Sequence, residues 1–179
     1  MQTNGTGGFA SSTVVGANVR RYHGLLVAST LPPVGRIVAL NRISESLRLP
    51  DGQSFELAVN HFRSTVTPHG ERHLRSFAHD VTTRWHYDLS GVSVRKELLL
   101  CWGRNTVGIR YVIEPPAHAA GETIELSLQP FVTLRDFHSL MRADHHSDVR
   151  TEGAAADGCV VQRWGHQLHL RCCLLYTSD

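Results

Sequence analysis

Lysine is almost absent from this 179-residue chain. Lys96 is the single one, and every other basic side chain except histidine is arginine. The formal net charge is only +2. Such a balance excludes the strongly basic face of a nucleic-acid binder and the polybasic patch of a membrane-surface protein. No apolar run approaches the roughly 18 residues that a membrane-spanning helix needs. The start, Met1-Gln2-Thr3-Asn4-Gly5, has neither the basic nor the apolar segment of a secretion signal. The four cysteines, Cys101, Cys159, Cys172 and Cys173, make no CxxC pair. They read as free thiols in a reducing compartment, with no disulfide frame and no zinc site. A cytoplasmic protein is therefore expected, with neither nucleic acid nor membrane as partner. Aromatic residues make up 7% of the chain, and Trp85, Trp102 and Trp164 are scattered along it. That scatter argues against a row of stacking aromatics.

Strand signals, by contrast, are plentiful. Thr13 to Val15, Tyr22 to Ala28 and Ile37 to Leu49 open the series. Pro50-Asp51-Gly52 is a turn signal, and Ser54 to Val59 would return from it. Arg84 to Leu89 and Val92 to Cys101 flank Ser90-Gly91, a two-residue link suited to a tight hairpin. Val107 to Ile113 follows. In Glu122 to Leu134, Ile124, Leu126 and Leu128 alternate with polar residues. Cys159 to Gln162 and Leu168 to Leu170 are short candidates near the end. No stretch carries a sustained helical stripe, and Ser139 to Asp148 reads as a loop. The expected fold is all-β, an antiparallel β-sandwich or barrel.

Several clusters invite a chemical reading. Thr3-Asn4-Gly5-Thr6-Gly7-Gly8-Phe9-Ala10-Ser11 is glycine-rich. It lacks the full spacing of a dinucleotide fingerprint, no strand is expected before it and no amphipathic helix follows to hold a phosphate, so a tight turn is expected. Asn18-Val19-Arg20-Arg21-Tyr22-His23-Gly24 stands directly before an apolar strand. Strand alternation would put Arg21 and His23 on one face and Arg20 and Tyr22 on the other. The cluster fits a sugar site, with tyrosine as the flat apolar face and arginine as donor, or an interface where the arginines meet carboxylates. Among the carboxylates, Asp88, Glu97, Glu125 and Asp136 are candidates for acid–base work. Glu97 and Glu125 fall on polar strand faces, whereas Asp136 lies in Arg135-Asp136-Phe137-His138, after a strand. An interface ion pair is the expectation for it. His145-His146, with Asp144 and Asp148, is dense in metal-ligand types, but the spacing of a zinc site is missing and a solvated loop is expected.

Four ordered segments resemble one family. Thr3, Asn4, Gly5, Gly7, Gly8, Phe9, Ala10, Ser11 and Thr13 fit a T-N-G-x-G-G-[YF]-A-S-x-T block. Arg20 through Leu26 fit R-R-Y-H-G-L-L, Pro32 to Arg36 fit P-P-x-G-R, and Arg135 to Leu140 fit R-D-[YF]-H-S-L. Together they resemble the opening of the bacterial and archaeal type of glycogen debranching enzyme. Thr6 and Ser12 depart from its usual leucine and glycine. The resemblance implies an N-terminal β-sandwich of the supersandwich type, joined in the parent enzyme to an (α/α)6 barrel that this chain does not contain. It implies amylo-α-1,6-glucosidase activity in the barrel, where the two carboxyl groups that glycoside hydrolysis requires would lie. On this chain no catalytic residue, no metal and no cofactor is expected. Its partners would be the parent's own barrel and, through the parent, an α-glucan. Asn4, Gly5, Gly7, Gly8, Arg20, Arg21, Tyr22, His23, Gly24, Arg135, Asp136 and His138 would line the substrate or the domain interface. The domain is expected over 3–171. Residues 172–179 read as a non-native tail, because Cys173 to Asp179 look like a translated transposon end. The alternative is a free-standing carbohydrate-binding sandwich with no enzyme attached. A lone domain of this kind is also expected to expose an apolar patch and to self-associate.

Overall fold

The computed structural model describes residues 1–32, 34–62, 64–116, 121–141, 148–155 and 157–173. Its described residues form fifteen strands: β1 (Gln2–Thr3), β2 (Phe9–Ser11), β3 (Gly24–Leu31), β4 (Gly35–Arg48), β5 (Ser54–Glu56), β6 (Val59–Phe62), β7 (Thr65–His69), β8 (Leu74–His79), β9 (Thr83–Leu89), β10 (Val92–Leu100), β11 (Val107–Glu114), β12 (Glu125–Asp136), β13 (Arg150–Ala155), β14 (Gly158–Arg163) and β15 (His166–Arg171). Among the described residues there is no α-helix, only a short 3-10 turn at Gly70–His73. No helix there is long and apolar enough to cross a membrane.

The first sheet runs β1-β2-β3-β4-β12, with β5 also paired to β4. The second runs β11-β10-β9-β8, the third β13-β14-β15, and β6 and β7 form a hairpin. All these pairings are antiparallel. One core joins the first two sheets. Leu26, Leu40 and Leu47 from the first meet Trp85, Leu89, Val94 and Leu98 from the second, and Val161 of β14 brings in the third. The expected all-β sandwich architecture is therefore present.

Alternation explains β9 and β10. In β10 every second residue from Val92 to Leu100 is buried, and the residues between face out. Ser90 and Gly91 link the two strands with positive φ at both positions (54° and 88°), the backbone of a tight primed turn. β3 departs from alternation. Gly24 to Ser29 are buried without a break, so both faces of this central strand are covered.

One expected strand is not a strand, and the one expected from Tyr22 begins only at Gly24. Thr13 to Val15 is a turn, because Gly16 donates to the Thr13 carbonyl (3.0 Å) and the Thr13 hydroxyl donates to the Ala17 carbonyl (2.9 Å). Side-chain hydroxyls that bond the nearby backbone compete with the ladder. Arg20 to His23 is a turn as well, closed by His23 N–H donating to the Arg20 carbonyl (3.0 Å), so the expected face alternation does not apply there. Conversely, β1 and β2 bracket the glycine-rich block, and the edge strand β8 is mostly exposed, with no apolar alternation to announce it.

Candidate functional site

Asn4 organises the glycine-rich block. It is fully buried, at 0% exposure. Its Oδ1 accepts the N–H groups of Thr6 (3.0 Å) and Gly8 (2.8 Å), and its Nδ2 donates to the Arg104 carbonyl (3.0 Å) and Asn105 Oδ1 (3.2 Å). Gly103 N–H donates to the Asn4 carbonyl (2.7 Å). Asn105 continues the chain by accepting from Ser29 N–H (3.0 Å) and donating to the Ser29 carbonyl (2.7 Å). A buried amide must satisfy its donors and acceptors, and this one does so by tying the edge of the first sheet to the β10–β11 turn. Gly5 has φ +77°, and a Cβ there would stand 2.6 Å from the Trp102 ring; a Cβ on Gly8 would stand 2.5 Å from Asn4 Nδ2. The glycines answer to close packing inside the protein, as the turn reading expected, although a two-residue strand does precede the block.

The other three motifs converge beside this loop. The Gly7 carbonyl accepts from Arg36 Nε (2.6 Å). The Arg36 guanidinium lies 5.5 Å over the Phe137 ring, and Phe137 N–H donates to the Arg36 carbonyl (3.2 Å). Tyr22 packs against Phe137 at 5.1 Å between ring centroids and meets His138 edge-on, with its hydroxyl 3.2 Å from His138 Nδ1. Arg21 Nη1 donates to the His138 carbonyl (2.9 Å).

Arg135 pins the arrangement from below. Only 5% exposed, it donates from Nη2 to the Arg21 carbonyl (2.5 Å). From Nη1 it reaches the carbonyls of Ser139 (2.5 Å), Asp136 (3.2 Å) and Phe137 (3.4 Å). Burial lowers its pKa, Asp136 opposes that, and the Arg21 charge adds to it. Because the ordinary arginine value is so high, the group stays cationic. A fixed guanidinium fork thus satisfies turn carbonyls on two segments more than a hundred residues apart. Asp136 is committed locally, its Oδ1 accepting His138 N–H (2.8 Å).

His23 sits behind this surface. Val19 N–H donates to its Nδ1 (3.2 Å), which requires that nitrogen to be unprotonated. Burial is the main cause that lowers its pKa, followed by the Arg20 charge, while a backbone bond at Ala17 opposes them. Gly24 is a packing glycine, since a Cβ there would meet Val38 Cγ1 at 3.0 Å. Arg20, Arg21, Tyr22, Asp136 and His138 remain exposed on the turn surfaces.

The remaining carboxylate candidates do not form a facing pair. Glu97 bonds Arg110 (2.6 Å), Glu125 stands 4.0 Å from Arg48, and Asp88 accepts from Gly91 N–H (3.0 Å). A cavity of about 240 Å³ opens elsewhere, lined by Leu25, Phe77, Thr83, Trp85 and others, with no carboxylate in its wall. His145-His146 and Asp144 lie outside the described residues.

A second polar group sits inside the sandwich and escaped the sequence reading. Lys96 Nζ of β10 bonds Glu45 Oε1 of β4 (2.5 Å), and the Tyr111 hydroxyl donates to the same oxygen (2.7 Å). Lys96 also lies 5.4 Å from the Trp85 ring centroid. Its signal was present: Lys96 interrupts the apolar series Val92, Val94, Leu98, Leu100, and Glu45 interrupts Ile43, Leu47. Arg36 and Phe137, which bridge the motifs, were also missing from the expected site.

Against this geometry, a family model described as glycogen debranching enzyme N terminal matches residues 1–174. The chain belongs to this family. No curated protein and no solved structure matches it. All four segments that carried the resemblance lie inside the matched range, and in space they contact one another. As a debranching-enzyme N-terminal domain, the chain has there an exposed surface of arginine, tyrosine and histidine.

Proposed function

We propose that the chain serves as the non-catalytic N-terminal domain of a cytoplasmic glycogen-debranching enzyme. The parent hydrolyses α-1,6-glucosidic branch points in glycogen and related α-glucans. The domain packs its four-motif end against the parent's (α/α)6 barrel and helps shape the entrance to the barrel's site. The observation that carries this reading is the convergence of four distant motifs on one surface, pinned by Arg135, in a chain of the debranching N-terminal family. Arg20, Arg21, Tyr22 and His138 are the side chains it offers outward. Free thiols at Cys101 and Cys159 support a reducing compartment.

Two carboxyl groups flanking a bond are the requirement for glycoside hydrolysis. The candidates Asp88, Glu97, Glu125 and Asp136 each stand against an arginine or a turn amide, which supports placing the chemistry in the parent's other domain. The test is to complete the gene with its downstream region and assay a branched limit dextrin. Released glucose is expected; a folded, completed protein that releases none would sink the reading. Arg21→Ala and Tyr22→Ala in that protein are expected to lower debranching while leaving the fold intact.

A further inference from the structure

Trp102 is the most exposed tryptophan of the chain, at 79%, on the β10–β11 turn. An indole left this open on a surface turn normally has no reason to be held still. Here it is held. One ring face lies against the Gly5 backbone, so closely that any side chain at Gly5 would overlap the ring. The turn beneath is fixed by Gly103 N–H donating to the Asn4 carbonyl (2.7 Å) and Cys101 N–H donating to the Thr106 carbonyl (2.9 Å). The buried Asn4 side chain then bridges Thr6 N–H and the Arg104 carbonyl, so the backbone of the exposed Thr6, next to Gly5, is tied to that of the exposed Arg104, two residues after the indole. A backed, open aromatic face on a turn that carries polar side chains matches the chemistry of a hexose: axial C–H groups stack on the ring, and hydroxyls take polar bonds.

The surface also connects with the four-motif end. Gly5 touches Trp102, Gly7 bonds Arg36, Arg36 covers Phe137, and Phe137 packs on Tyr22. We propose that Trp102 is a stacking platform on which this domain itself holds an α-glucan chain, in line with the Tyr22 surface. The proposal rests on the glucan reading above.

The test uses the full chain in native gels containing glycogen, with a β-1,4-glucan gel as control. Glycogen alone is expected to retard it. Trp102→Ala is expected to weaken the apparent affinity about tenfold, the size of one aromatic stacking contact, and Trp102→Phe to keep most of it. Trp164→Ala, at the other strongly exposed tryptophan, serves as control and is expected to change nothing. Circular dichroism confirms that each variant is folded. Equal retardation of wild type and Trp102→Ala, or equal loss in Trp164→Ala, overturns the platform. So does a Trp102→Ala chain that loses self-association in sedimentation yet keeps its glycogen binding, which would make the indole a protein contact. If the completed gene debranches limit dextrin but this chain ignores glycogen, the platform alone fails. If glycogen binding depends on Trp102 and the completed gene does not debranch, the enzyme reading fails and the platform stands.

Discussion

Replacing Lys96 by methionine probes a buried charge pair that joins the two main sheets from inside. The Lys96 and Glu45 side chains are only 11% and 4% exposed. Removing one partner of a buried pair leaves an uncompensated charge and costs about 3–5 kcal/mol. In Lys96→Met, Glu45 keeps the Tyr111 hydroxyl at 2.7 Å, and a hydrogen bond to a charged group contributes about 1.5–3 kcal/mol. The loss should therefore fall at the low end, about 3 kcal/mol. Glu45→Met leaves Lys96 with aromatic faces alone and strips Tyr111 of its acceptor, so it should fall at the high end, about 5 kcal/mol. The double variant Glu45→Met/Lys96→Met removes both charges and should return to within about 2 kcal/mol of wild type, because two well-packed apolar chains can replace a buried pair. Urea unfolding of the four proteins gives the cycle. For a chain of this length Lys96→Met should also lower Tm by about 10 °C. A Lys96→Met loss under about 1 kcal/mol, or a double variant equal to the sum of the singles, would refute the reasoning.

The neighbouring phenols make a pH prediction. Burial first, and the Glu45 charge second, raise the pKa of both Tyr87 and Tyr111 above the ordinary tyrosine value. A group whose pKa is raised on folding contributes stability below its unfolded value of about 10 and loses it as pH rises beyond that. Spectrophotometric titration should show these two phenols ionising only with unfolding, and ionisation of all the tyrosines near pH 10 in folded protein would contradict it. Arg135→Lys keeps the charge but cannot span four carbonyls. It should cost about 2–3 kcal/mol and speed tryptic cleavage at Arg20 and Arg21, whereas unchanged digestion would show the pin to be dispensable. Gly5→Ala forces a side chain into positive φ and into the Trp102 ring, with an expected loss of about 2 kcal/mol and a shifted Trp102 emission. An unchanged spectrum would mean the indole is not seated there.

Much of this protein was legible along the chain. The all-β class followed from alternation in β10 and β12 and from turn pairs such as Ser90-Gly91, because a strand's two faces and a primed turn's positive φ are local properties. The tight turn at Gly5 to Gly8 was readable from its glycines, which positive φ and close packing there require. The four family segments were readable as strings. Lys96 and Glu45 were visible only as breaks in apolar series, and no local rule says that two such breaks, fifty-one residues apart, cancel each other.

What tertiary structure alone decided is who stands beside whom. Arg20 to His23 became a turn because β3 begins only at Gly24 and Arg135 gathers the Arg21 carbonyl from more than a hundred residues away. Trp102 was one scattered aromatic until the buried Asn4 amide bound its turn to the glycine loop and gave its ring a flat backing. Hydrogen bonds and ring contacts between distant segments depend on register and sheet stacking, which the order of residues specifies only through the folded whole. Thus the sequence by itself determined the class of fold and the family. The packing decided which residues are buried pins, Asn4 and Arg135, and which, Tyr22 and Trp102, are left facing out.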